Sequence, residues 1–187
     1  MIQFLIIIVL PVLGAYLLFK LITKKIDYLF TEIANMLMIT YVIFLIYLVW
    51  FSSSHIVLPG LHMNLLPFNT VYQYLLEAAN GIVPISVVAV NLFGNILLTL
   101  PIGIWLGFNG YSHKKTLTIA IFIPILIESI QLILQLIEYS TRSVDIDDFI
   151  LNFIGIMVGF FIARKFLPAK KSRFLQSGER NEKVRSS

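Results

Sequence analysis

The chain has 187 residues, 58% of them apolar and 13% charged, with a formal net charge of +4 and no cysteine. Its mean hydropathy of +0.90 exceeds what a soluble core of this length can hide, so lipid is the solvent for most of the chain. The lack of cysteine excludes a disulfide, a thiol nucleophile and a thiolate metal site, and no nucleic-acid partner is expected.

Apolar runs at residues 2–22, 33–51, 82–108, 116–137 and 149–167 approach or exceed the roughly 18–20 residues that cross a ~30 Å hydrocarbon core. None alternates strictly, so the runs predict an all-α, polytopic membrane protein with about five transmembrane helices. No basic residue precedes the first run and no small-x-small cleavage pattern follows it. It therefore reads as a retained membrane helix rather than a secretory signal, with Pro11 and Gly14 as kink points.

Orientation follows from the basic residues. Lys20, Lys24 and Lys25 flank the first connection and Lys114 and Lys115 the third. Arg164, Lys165, Lys170, Lys171, Arg173, Arg180, Lys183 and Arg185 lie at or beyond the end of the fifth run. Five spans put all of these on one side and leave Arg142 alone on the other, which predicts an outside N-terminus and a cytoplasmic C-terminus. The expected division is an N-terminal helix with a cytoplasmic loop (1–40), a membrane domain (41–167) and a basic tail (168–187). The tail is too polar to pack a core, serves as a topology anchor and is able to lie against anionic headgroups.

The long connection, residues 52–81, is expected outside. Pro67 and Asn69 break the chain there, Thr70 and Gln73 fit a capping box, and Val71, Tyr74, Leu75 and Ala78 recur at helical spacing. This predicts a short amphipathic helix in the membrane interface, with Tyr72 and Tyr74 at headgroup depth. His55 and His62 follow no metal-site spacing and read as surface residues.

The polar residues inside the spans share a depth. In the third run Asn91 and Asn95 are four apart and share a face; in the fourth, Glu128 and Gln131 are three apart and do the same. At 1.5 Å per residue, Asn91 and Glu128 both lie roughly 14 Å below the outer boundary. The fifth run opens with Asp145 and Asp148, and Asp148, Asn152, Gly155 and Gly159 form one stripe. Three helices thus present polar faces in one half of the membrane, below a charged loop holding Arg142. Because an ionisable group in hydrocarbon costs about 2.5–3.5 kcal/mol, Glu128 must face the bundle or a watery cavity.

Each element also has a plain structural reading. The amides can be interhelical glue, Gly103-x-x-x-Gly107 and Gly155-x-x-x-Gly159 close-packing faces, and Asp145 or Asp147 a helix cap. Asp145, Asp147 and Asp148 are also weak candidates for a divalent cation, in a spacing unlike that of a calcium loop. Zinc-protease, phosphate-loop and nucleophile-elbow patterns are missing.

NLLPF at residues 64–68, NLFGN and LPIG within 91–103, ESIQ at 128–131 and RSVDIDDFILNFIG at 142–155 occur in that order. Together they make residues 41–167 resemble the VanZ-like family of small bacterial membrane proteins. The first helix and the basic tail lie outside the resemblance. It implies a multi-pass protein of the bacterial plasma membrane with an envelope function. It also implies motif residues at Asn64, Pro67, Asn91, Asn95, Glu128, Gln131, Arg142, Asp145, Asp148 and Asn152. The founding member is associated with low-level resistance to the glycopeptide teicoplanin. The leading expectation is an outward-facing polar cavity that engages membrane lipid, a lipid-linked cell-wall component or a lipoglycopeptide. A membrane enzyme using Glu128 or an Asp as general base, a small transporter and a structural accessory protein are the alternatives.

Overall fold

The computed structural model describes residues 2–24, 29–51, 61–139 and 143–166. Arg142, His55 and the basic tail lie outside these. Among the described residues the helices are α1 (Ile2–Thr23), α2 (Leu29–Ile46), α3 (Asn69–Ala79), α4 (Ile85–Phe108), α5 (His113–Leu136) and α6 (Ile146–Phe166). A π-helical turn over Tyr47–Phe51 continues α2, and two short strands, β1 (Met63–Asn64) and β2 (Val144–Asp145), complete the set. All but α3 are long and apolar enough to cross a membrane, as the five apolar runs predict, so the chain is a multi-pass membrane protein.

Contacts group the chain into two compact units, Met1–His55 and Ile56–Ser187. In the first unit, α1 and α2 are joined by polar groups that a hydrocarbon environment would otherwise penalise. The Tyr16 hydroxyl donates to Glu32 Oε2, Lys20 Nζ donates to Glu32 Oε1 at 2.9 Å, and Asn35 Nδ2 donates to the Tyr16 hydroxyl at 3.1 Å. Glu32 is buried, so its charge is tolerated because these partners surround it.

The second unit is built on α6. Its main neighbour is α4, which runs parallel to it: Gly155 lies against Ile96 and Thr99, Gly159 against Leu100 and Ile104, and Gly103 against Ile156. A Cβ at Gly103 would meet the Ile156 carbonyl oxygen, and one at Gly159 the Leu100 carbonyl oxygen. Both glycine pairs are therefore the close-packing faces that their spacing predicts. The buried Thr99 hydroxyl crosses this seam to the Asn152 carbonyl at 2.8 Å. α5 runs antiparallel to α6: Glu128, late in α5, meets Asp145 at the start of α6, while His113, at the start of α5, lies edge-on to Phe160 at 5.1 Å.

This topology gathers the starts of α4 and α6 and the end of α5 at one end. There β1 pairs in parallel with β2, Met63 opposite Val144 and Asn64 opposite Asp145. α3 packs over this polar end against α4 and α6. No residue of α3 is buried. Tyr72 is exposed, as an interfacial helix requires, but Tyr74 turns inward and is half-buried.

The start of α3 corrects one expectation. Thr70 and Gln73 form no capping box; the N-cap is Phe68, in the left-handed region at φ 65°, without a side-chain cap of its own. Leu66, Pro67, Phe68 and Asn69 make a turn closed by Asn69 N–H donating to the Leu66 carbonyl at 3.2 Å. Pro67 presets the second position, and Phe68 takes the third, which in this turn type favours glycine.

Candidate functional site

The polar end of the second unit is organised by three acidic residues, Asp145, Asp147 and Asp148, with three different tasks. Asp145 caps α6: its Oδ1 accepts from the backbone N–H of Asp147 at 2.9 Å, near the positive end of the helix dipole. The same carboxylate accepts from Asn64 Nδ2 at 3.1 Å and from the Thr70 hydroxyl. It thereby ties β1 and α3 to the mouth of α6.

Asp147 caps a different helix. Its two oxygens accept from the backbone N–H groups of Phe68 and Val71, the second at 3.1 Å. The first turn of α3 thus receives its cap from 79 residues away. Asp147 is only 2% exposed, and these bonds answer the desolvation of its charge. Asp148 faces α4, accepting from Asn95 Nδ2. All four oxygens of Asp145 and Asp147 therefore accept hydrogen bonds, which makes these two residues builders of the site. Among the described residues, no three His, Cys, Asp or Glu side chains gather as metal ligands.

Asn64 shapes the loop below α3. Its Oδ1 accepts from the Leu66 N–H at 3.3 Å and from Asn69 Nδ2 at 3.2 Å, and its Nδ2 also donates to the Thr70 hydroxyl at 2.8 Å. Asn64 and Pro67 therefore position one loop, Asn64 by hydrogen bonds and Pro67 by its fixed φ.

α5 faces this assembly with a ladder of polar side chains. Glu128 Oε2 accepts from the Asp145 N–H at 3.0 Å. Two turns on, Gln135 clasps the backbone of His62: its Oε1 accepts from the His62 N–H at 3.0 Å and its Nε2 donates to the His62 carbonyl at 3.2 Å. That carbonyl also accepts from the Ser143 hydroxyl at 3.0 Å and the Val144 N–H at 3.1 Å. Between these rungs lies Gln131, 3% exposed, with its Oε1 bonded to no described residue.

Tyr74 reports the electrostatics. Burial first, and then the neighbouring charges of Asp148, Asp145 and Glu77, hold its phenol above the usual value of 10.0.

Of the residues singled out from sequence, the structure brings together Asn64, Asn95, Glu128, Asp145, Asp147, Asp148 and, through its carbonyl, Asn152. Asn91 is half-buried one turn nearer the mouth than Asn95 and makes no side-chain hydrogen bond to a described residue. Sequence reasoning missed Thr99, Ser143 and Gln135, and gave Thr70 a local capping role in place of its bond to Asp145. Gln135 was within reach, since it continues the stripe of Glu128 and Gln131 at helical spacing. It also missed the Tyr16, Lys20, Glu32 and Asn35 cluster, whose signal was the i, i+4 pair of Tyr16 and Lys20 facing the i, i+3 pair of Glu32 and Asn35.

Residues 38–167, from within α2 to the end of α6, match the VanZ/LLP1 family. No curated protein and no solved structure matches the chain. The chain belongs to the VanZ/LLP1 family.

Proposed function

We propose that this member of the VanZ/LLP1 family acts at the outer face of the bacterial plasma membrane. There it engages an amphiphile, a lipid-linked cell-wall component or a lipophilic glycopeptide of the teicoplanin type. The supporting observation is the meeting of buried polar groups from α4, α5 and α6 at one end. At the same end Leu65, Leu66, Phe68, Tyr72 and Leu76 are exposed. Polar groups at the end of membrane helices, beside surface suited to acyl chains, are what an amphiphile needs. Asn91 and Gln131 carry hydrogen-bonding capacity that the described residues do not use, and Glu128, Asp148 and Arg142 would read charge.

The test is teicoplanin susceptibility of a host expressing the wild type, Asn91→Leu or Glu128→Gln, with membrane levels measured in parallel. Raised tolerance with the wild type, lost in variants present at equal levels, is the expected result. A wild type that is well expressed and changes nothing removes glycopeptides from the reading. Variants as protective as the wild type reduce the polar end to a structural role.

A further inference from the structure

Gln131 is buried at the polar end, and its amide oxygen bonds to no described residue. Its location is fixed by its neighbours. One turn before it Glu128 is bonded to the Asp145 N–H, and one turn after it Gln135 is bonded to His62, so Gln131 faces the paired strands β1 and β2. A buried, unanswered carbonyl costs about 1–3 kcal/mol, and an apolar side chain of similar size would avoid that cost. Such a group is a candidate for a role outside the fold.

The charge around it selects the class of donor. Residues 61–84 and 128–148 hold Glu77, Glu128, Glu138, Asp145, Asp147 and Asp148 against a single basic residue, Arg142. Burial first, and then the charges of Asp148, Asp145 and Glu77, raise the Tyr74 pKa, although Asp145 is itself hydrogen-bonded. An anionic headgroup entering here would meet repulsion, whereas a cationic donor would meet both the acidic surplus and a buried acceptor that the described residues leave unanswered.

We infer that the polar end selects amphiphiles bearing a primary ammonium, which donates to Gln131 Oε1 between α5 and the β1–β2 pair. The inference rests on the amphiphile reading above and names its ligand class. It assigns to Gln131 a binding role, and to the acidic surplus the exclusion of anionic headgroups.

The experiment uses the full-length chain in detergent, titrated with phosphatidylethanolamine, phosphatidylglycerol or diacylglycerol and read by binding and by thermal unfolding. Gln131→Met and Gln131→Leu are the variants, since both replace the orphan amide with an apolar group of similar volume and should leave unfolding unchanged or raised. Expected is binding of phosphatidylethanolamine roughly tenfold tighter than of phosphatidylglycerol, with the preference lost in the Gln131 variants. Equal binding of all three lipids by the wild type, or an intact preference in a folded Gln131 variant, overturns the inference and leaves the amphiphile reading standing. Binding of none of the three, nor of a lipoglycopeptide, removes both.

Discussion

Asp147 is the residue on which the geometry of the polar end most depends. Its carboxylate answers two of the N–H groups that the first turn of α3 leaves open, one of them on Phe68, whose backbone is in the left-handed region. Removing it should free α3 while sparing the α4–α6 seam. Asp147→Ala is expected to cost about 1–2 kcal/mol and to speed hydrogen exchange of the α3 amides, with the α4 and α6 amides still protected. Loss of protection in all three helices would mean that Asp147 holds the whole unit and not α3 alone. Sequence could not show this task. Thr70 and Gln73 offered a local cap, but the Thr70 hydroxyl donates to Asp145, while the actual cap comes from the far side of the sequence.

At the scale of elements, the helices were legible because hydrocarbon permits little else, and their ends were less so. The run expected to start at residue 82 starts at Ile85, after Pro84, whose fixed φ and missing N–H suit a helix entrance. The run expected from residue 149 starts at Ile146, because Asp147 and Asp148 interrupt an apolar pattern yet suit the positive end of a helix. The glycine stripes were legible as packing faces, but not as a parallel pairing of α4 with α6. Gly103→Ala should cost about 1–3 kcal/mol, since its Cβ meets backbone that cannot swing aside. Gly94→Ala, with nothing within 4 Å of the new atom, should not destabilise the protein. Thermal unfolding in detergent distinguishes the two, and equal melting temperatures would contradict the close approach of α4 and α6.

For the whole molecule, the proposed function joins a fold to a side of the membrane. The fold places the ends of three spans, α3 and the paired strands at one polar end. The side is an expectation drawn from the basic residues alone. The ligand class depends on both, since an outer-leaflet amphiphile is reachable only if that end opens outward. Because the chain has no cysteine, single-cysteine variants report this without background. The measurement is labelling of Asn80→Cys, in the exposed turn after α3, and Ser177→Cys, in the basic tail, by a membrane-impermeant maleimide. Asn80→Cys is expected to react in intact cells and Ser177→Cys only after permeabilisation. The reverse pattern would put the polar end in the cytoplasm and contradict an outward-facing site.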